Sequence, residues 1–276
     1  MSGPQVHPTA LVAPGATLGD DVTVGAYASI GAQVRVGAGT QVGPHVVIEG
    51  RTTIGARNQI FQFASIGAVP QDLKYHGEAS ELLIGDENRI REFCTLQPGT
   101  EGGGMVTRVG NRNLLMNYTH VAHDCILGDR NIIANGTQLG GHVIIESGVV
   151  VGALSGIHQF ARLGESAIIG AGSMVSQDVP PFCNATGDRA TLHGLNVLGL
   201  KRRGLDAEAI RALRRAYRIM FHSHLRAVEA VARIRAELPG VAEVDRFVAF
   251  IEASTRGVCR EAGRKTKDEG QRTDDE

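Results

Sequence analysis

An aliphatic residue recurs at every sixth position of this chain. The beat runs from Val6 in unbroken steps of six to Ile66, returns at Ile84, Ile90 and Leu96, and runs again from Val109 to Val175. Of these 26 positions, 14 are followed directly by Gly. With 36 Gly in 276 residues, chance would place Gly at only about three. A period of six matches neither the strand period of 2 nor the helix period of 3.6. It marks a parallel β-helix in which each hexad forms one flat side of a triangular coil. Three sides close a coil, so residues 18 apart stack directly over one another. The aliphatic residues point inward as a ladder, and each coil buries its part only against its neighbours. The Gly after each ladder residue is expected to supply the positive φ that a tight corner needs.

Two interruptions break the beat. The first is a step of 18 from Ile66 to Ile84 and is expected to release one coil's worth of chain as a loop over 67–83. The second, over 97–108, holds Gly102-Gly103-Gly104. Loops leaving a rigid scaffold are where functional groups concentrate. The beat stops at Pro180-Pro181, so the β-helix is assigned to 1–181 and a bridging segment to 182–205. A helical region follows over 206–260, with Asp206 as N-cap. Its first helix carries Ile210, Leu213, Tyr217, Met220, Leu225, Val228 and Ile234. Its second covers Val244 to Thr255. The charged tail 261–276 is expected to be disordered.

The chain has no apolar run that could span a membrane and no N-terminal apolar leader, which predicts a cytoplasmic protein. Cys94, Cys125, Cys183 and Cys259 are scattered, which argues against disulfides and a cysteine zinc site. The net charge of −1 gives no sign of a nucleic-acid partner, and Trp is absent. Residues 201–235 nevertheless hold ten Lys or Arg against three Asp or Glu. Such a local basic face suits an acidic partner.

Four histidines, His120, His123, His142 and His158, fall within three successive coils. By the 18-residue rule His123 lies over Gly141 and Gln159, and Asp124 lies over His142 and Phe160. His158 sits beside that column, and His120 half a side earlier. A neutral imidazole can take a proton from a hydroxyl, and a carboxylate beside it can orient the ring. A Gly can offer a bare N–H to an oxyanion. No Ser or Cys in the cluster forms a nucleophile arrangement, which favours direct transfer.

The segments His120-Val121-Ala122-His123-Asp124-Cys125, Gly140-Gly141-His142, Ile157-His158-Gln159-Phe160 and Gln177-Asp178-Val179-Pro180-Pro181 carry a family resemblance. So do Gln71-Asp72-Leu73-Lys74-Tyr75 and Gly199-Leu200-Lys201-Arg202-Arg203-Gly204. Together they resemble the acyl-carrier-protein-dependent UDP-N-acetylglucosamine O-acyltransferases, which open lipid A synthesis. The resemblance implies a left-handed β-helix with a C-terminal helical domain, assembled as a homotrimer with sites between prisms. It implies transfer of a (R)-3-hydroxyacyl chain from acyl carrier protein to the sugar 3-hydroxyl, without a cofactor or metal. His123 would be the general base, supported by Asp124, with the Gly141 N–H on the oxyanion. Asp72, His120 and His142 would contact the glucosamine, and Lys74 the diphosphate. His158 and Gln159 would line the cleft, Asn196 and Arg202 would reach the nucleotide, and Ala171 would gate acyl length. The basic helical face would receive the carrier protein.

The chain departs from that family at Gln97-Pro98, where a His-Arg pair is usual, and at Leu198, where a Glu is usual. The first departure keeps open a 3-amino sugar acceptor, which would yield an amide. The related N-acyltransferase of the same pathway has an extra N-terminal domain, for which hexads starting at Val6 leave no room. A trimeric zinc enzyme of the γ-carbonic-anhydrase type and a non-catalytic solenoid are the remaining readings.

Overall fold

The computed structural model describes residues 2–261, and the expected disordered tail, apart from Glu261, lies outside them. The chain folds as a left-handed parallel β-helix followed by four helices. Its strands form three sheets. The first face has eleven strands, beginning at Gln5–Val6, the second has nine, beginning at Leu11–Val12, and the third has eight, beginning at Thr17–Leu18. Stacked partners are 18 apart, as in Thr23 with Gln41 and Ile126 with Ile144. The ladder residues from Val24 onward are buried, while Val6 at the open end is exposed.

The Gly after each ladder residue has a different task from the one expected. Only Gly67 among these fourteen has a positive φ. A Cβ on Gly25 would lie 2.7 Å from the Pro44 nitrogen, and one on Gly37 would lie 2.6 Å from the Gly55 carbonyl carbon. These glycines allow close approach of successive coils. The left-handed corner residue comes two positions later and is often bulky, as at Tyr27, Phe63 and His142. Inside one corner a column of buried Asn satisfies the turning backbone. Asn88 donates to Asn58 Oδ1 at 3.0 Å, and Asn113 donates to Asn88 Oδ1 at 3.0 Å.

Both loops leave the edge between the second and third faces. Across the first, Ser65 pairs with Thr95, 30 residues on, so the loop adds twelve residues, two hexads rather than a whole coil. Its return strand begins at Glu81, and that of the second loop begins at Val106. The first face continues past the proline pair. Cys183–Thr186 pairs with Ile168–Ile169, and Thr191–Leu195 adds an antiparallel edge. The segment expected only to bridge therefore extends the sheet and ends in a short helix, α1 (Val197–Arg202).

Asp206 caps α2 (Ala207–His222), accepting from the Ala209 N–H at 2.7 Å. The single run expected from Ile210 to Ile234 is two helices. His224, at φ 59°, ends the first, and the Arg226–Glu229 capping box starts α3 (Ala227–Glu237), so Leu225 and Val228 are exposed rather than core. α4 (Ala242–Glu252) then packs against α2. Among the described residues no helix is long and apolar enough to cross a membrane.

Candidate active site

His123 and Asp124 sit where the strand His120–Val121 of the second face turns into Ile126–Leu127 of the third. Asp124 holds the left-handed corner at φ 61°. His123 Nδ1 lies 2.8 Å from Asp124 Oδ2. The Asp124 side chain is fully buried, and the second loop surrounds it. Thr100 donates to it twice, from its N–H to Oδ1 at 2.9 Å and from its hydroxyl to Oδ2 at 2.6 Å. With Nδ1 facing the Asp124 carboxylate, Nε2 is the ring nitrogen of His123 left without a side-chain partner in this cluster.

One coil on, Gly141 lies under that ring. A Cβ there would meet His123 Cε1 at 2.5 Å and Nε2 at 2.6 Å. His142 meets the His123 ring edge-on at 5.1 Å and stacks on Phe160 at 4.3 Å. The register expected from 18-residue stacking is therefore the one observed for His123, Asp124, Gly141 and His142. His120 is nearby, with Nδ1 2.7 Å from the Thr95 hydroxyl.

Burial pushes the pKa of His142 below the ordinary imidazole value, against the opposing pull of Asp124; Asp72 also pulls it upward, which places the first loop within electrostatic reach. Burial lowers His120 as well, helped by His123. Both rings therefore stay neutral to lower pH than a free histidine. The unfolded chain takes up these protons near pH 6.5 and the folded chain does not, so stability conferred above that pH is lost as pH falls below it. Denaturant unfolding at pH 7.5 and pH 5.5 is expected to show this loss, and His120→Asn with His142→Asn is expected to shrink it.

Other expected site residues lie apart. His158 is exposed and engages Arg256, whose guanidinium donates to Nδ1 at 2.8 Å. Gln159 is also exposed and follows the register, lying against Gly140 one coil on from His123, while the His158 ring is held toward the C-terminal segment by Arg256. Lys74 is exposed on the first loop, and its N–H donates to Asp72 Oδ1 at 3.0 Å. Gln97, from the departing pair, is buried and ties that loop down. It accepts from the Gln71 N–H at 3.1 Å and donates to the Val69 carbonyl at 3.4 Å.

Asn196 and Arg202 line a separate cleft of about 1250 Å³ between the first face and α1. Its floor is Ile132, Val150 and Ile168, and Leu198 is in its wall. The Asn196 amide is engaged internally, capping α1 through the Gly199 N–H at 2.9 Å and donating to the Ser166 carbonyl at 3.0 Å. It builds the cleft more than it reaches into it. Arg203, which the sequence did not single out, lies against Gly148 and hydrogen-bonds Ser166. Ala171 is exposed on the turn that follows Ile168–Ile169 and leaves the first face.

The sequence reading also missed Thr100 and Gly103. A Cβ on Gly103 would collide with the Asp124 carboxylate, so the glycine triplet marks where the loop closes on the acid. Thr100→Val removes one of its donors. We expect kcat to fall roughly tenfold, by analogy with the 1.5–3 kcal/mol of a bond to a charged group. Thr100→Ser, which keeps the hydroxyl donor, is expected to retain kcat. A Thr100 that only packs the loop would instead lower the melting temperature without lowering kcat.

His123, Asp124 and His142 offer ligand atoms within 4.8 Å of one another. The set is two imidazoles and a carboxylate already held by Thr100, which fits a three-histidine zinc centre poorly. Cys125 is buried with its thiol pushed up to about 12 by desolvation, so it does not supply a nucleophile.

Residues 178–259 match the family described as Udp N-acetylglucosamine O-acyltransferase, Domain 2, and residues 107–141 match Bacterial transferase hexapeptide (six repeats). An acyl-[acyl-carrier-protein]–UDP-N-acetylglucosamine O-acyltransferase of Myxococcus xanthus is 56% identical over 93% of this chain and 99% of its own. One from Thiobacillus denitrificans is 49% identical over 92% and 99%. Among solved structures, LpxA from Acinetobacter baumannii is similar with a TM-score of 0.91 and 46% identity, covering 92% of this chain and 99% of that one. With relatives this similar over nearly their whole length, the chain belongs to the acyl-[acyl-carrier-protein]–UDP-N-acetylglucosamine O-acyltransferase family.

Proposed function

We propose that this enzyme transfers a (R)-3-hydroxyacyl chain from acyl carrier protein to the 3-hydroxyl of UDP-N-acetylglucosamine, the first step of lipid A biosynthesis. The observation that carries the mechanism is the Thr100–Asp124–His123 relay closed from below by Gly141. His123 Nε2 takes the proton of the sugar hydroxyl as its oxygen attacks the thioester carbonyl. Asp124 stabilises the imidazolium that forms. The Gly141 N–H faces the developing oxyanion. Collapse of the tetrahedral intermediate expels the thiolate, which recovers the proton from His123. The names of the relatives favour the hydroxyl acceptor over the 3-amino sugar.

His120 and His142, held neutral by burial, serve as hydrogen-bonding partners of the glucosamine with Asp72, and Lys74 serves the diphosphate. Arg202 serves the nucleotide, with Asn196 holding the helix that presents it. Ile132, Val150 and Ile168 give the acyl chain an apolar path toward Ala171. Exposed Arg211, Arg214 and Arg218 share one side of α2 and make no ion pair among the described residues, which suits docking of an acidic carrier protein.

The His123 cluster and the Arg202 cleft occupy different parts of one prism. A complete site therefore combines the base of one protomer with the cleft of another, in a homotrimer. Mixing His123→Ala with Arg202→Ala chains, after dissociation and reassembly, tests this. A shared site restores activity at about a quarter of the sites, whereas a site within one chain restores none. Incubation with hydroxyacyl carrier proteins of several lengths and both acceptors, read by mass spectrometry, tests the reaction. Ester on the ordinary sugar is expected; amide alone would overturn the acceptor assignment.

A further inference from the structure

After α4 the chain runs back across the end of the prism. The Gly257 carbonyl accepts from the Asp178 N–H at 3.0 Å, and the Cys259 N–H donates to the Asp178 carbonyl at 2.8 Å. Val258 and Glu261 form parallel bridges with Asp178 and Leu192. The Asp178 carboxylate, fully buried, joins this segment to the third face. It accepts from the Arg162 N–H at 2.8 Å and from the Ser254 hydroxyl at 2.7 Å. At the far end Glu261 accepts from the Tyr217 hydroxyl of α2 at 2.8 Å.

With the segment pinned on both sides of it, Arg256 is aimed at one place. Its Nε–H donates to the Ser176 carbonyl at 2.6 Å, and a terminal N–H donates to His158 Nδ1 at 2.8 Å. A guanidinium has donors only, so Nδ1 accepts and the ring proton sits on Nε2. The Gln159 carbonyl is 3.0 Å from the same nitrogen and would need a proton there. The shorter, charge-assisted contact with Arg256 decides against it. Among the described residues Nε2 has no hydrogen-bond partner, and the ring is exposed. His158 therefore carries an open N–H donor. This is the reverse of His123, whose Nδ1 faces a carboxylate.

Val121 pairs with Leu139 and Leu139 with Ile157, so His158 stands two coils, about 10 Å, beyond the coil of His123. It belongs to the coil of Val150, midway along the apolar floor from Ile132 to Ile168. The loop that carries Asp72 leaves the prism two coils on the other side of His123. A donor at His158 is thus on the acyl side of the base and not on the sugar side. We propose that Arg256 is a positioning residue that presents the His158 Nε2–H to an oxygen of the acyl donor, either the 3-hydroxyl of the chain or a carbonyl of the carrier's arm. This rests on the function proposed above and gives the C-terminal segment a task in it. The strap that seals the last coil also sets the direction of a donor in the site.

Steady-state kinetics of the full-length enzyme, with hydroxyacyl carrier protein and UDP-N-acetylglucosamine, test it. Arg256→Ala is expected to raise the KM for the carrier protein about tenfold, the scale of a lost bond to a charged group, with the KM for the sugar unchanged. Arg256→Lys keeps a donor there and is expected to recover most of the loss. Arg260→Ala, at an exposed position of the same segment, is expected to change neither KM. In a His158→Ala background Arg256→Ala is expected to cost nothing more. Additive losses, or a lowered melting temperature with unchanged kinetics, would make Arg256 structural and overturn the proposal. An acyl donor without the 3-hydroxyl separates the two oxygens: the Arg256→Ala loss vanishes if the hydroxyl is the acceptor and persists if the arm is. Should Arg256→Ala fail to fold, the ring proton of His158 in the wild type, located by long-range proton–nitrogen NMR, still decides. A proton on Nε2 is expected, and one on Nδ1 would overturn the proposal. A wild type that makes no ester would sink the function instead and leave that proton readable.

Discussion

Replacing His123 by Ala is expected to lower kcat/KM by about 10²–10⁴-fold while leaving the protein folded and assembled. The side chain sits at a corner, outside the aliphatic ladder, so removing it opens no cavity in the core. Its bond to Asp124 is lost, yet Thr100 still satisfies both carboxylate oxygens. Unfolding should therefore be only slightly easier. Single-turnover rates with carrier-protein thioester, together with a melting curve, separate the outcomes. Near-normal turnover would refute His123 as the base, and collapse of the fold would assign it a structural role.

Gly141→Ala is expected to lower kcat by about 10²-fold, through displacement of the base rather than its loss. The new Cβ would lie 2.5–2.6 Å from the His123 ring, and something must shift. The ring can turn more readily than the coil can open, because the backbone on either side is held by the ladder. Misplacing a catalytic group by about 1 Å costs rate on this scale. The same change in the Gly25 class, where a Cβ meets the backbone of the next coil, should instead appear as lost stability. A Gly141→Ala enzyme with full kcat and a lowered melting temperature would show that the glycine serves only coil packing.

Much of the site was readable because a β-helix converts sequence separation into distance. Once stacking at 18 was established, the approach of His123 to Gly141 and of His142 to Phe160 followed by arithmetic. That arithmetic fails wherever the chain leaves the prism. Thr100 is 24 residues before Asp124, across an insertion of no fixed geometry, and its two bonds to the acid depend on how the glycine triplet folds. Gln97 read as a departure from a family pattern, and only its contacts with Val69 and Gln71 show that it anchors the Asp72 loop. His158 obeyed the register, but its partner Arg256, almost a hundred residues later in the chain, could not be read from it.

By itself, then, the sequence determined the prism, its three-sided register and the corner that His123 and Asp124 share. These follow from a repeat in which each coil sees only its neighbours, so a local pattern suffices. Tertiary structure decided the rest. It assigned the repeat glycines to close approach of coils rather than to positive φ, because steric demand at those positions comes from the coil above. It split one expected helix in two at His224, closed the second loop over Asp124, and set the Arg202 cleft on a different face from the His123 corner. None of these is periodic, and each depends on which distant groups are brought into contact.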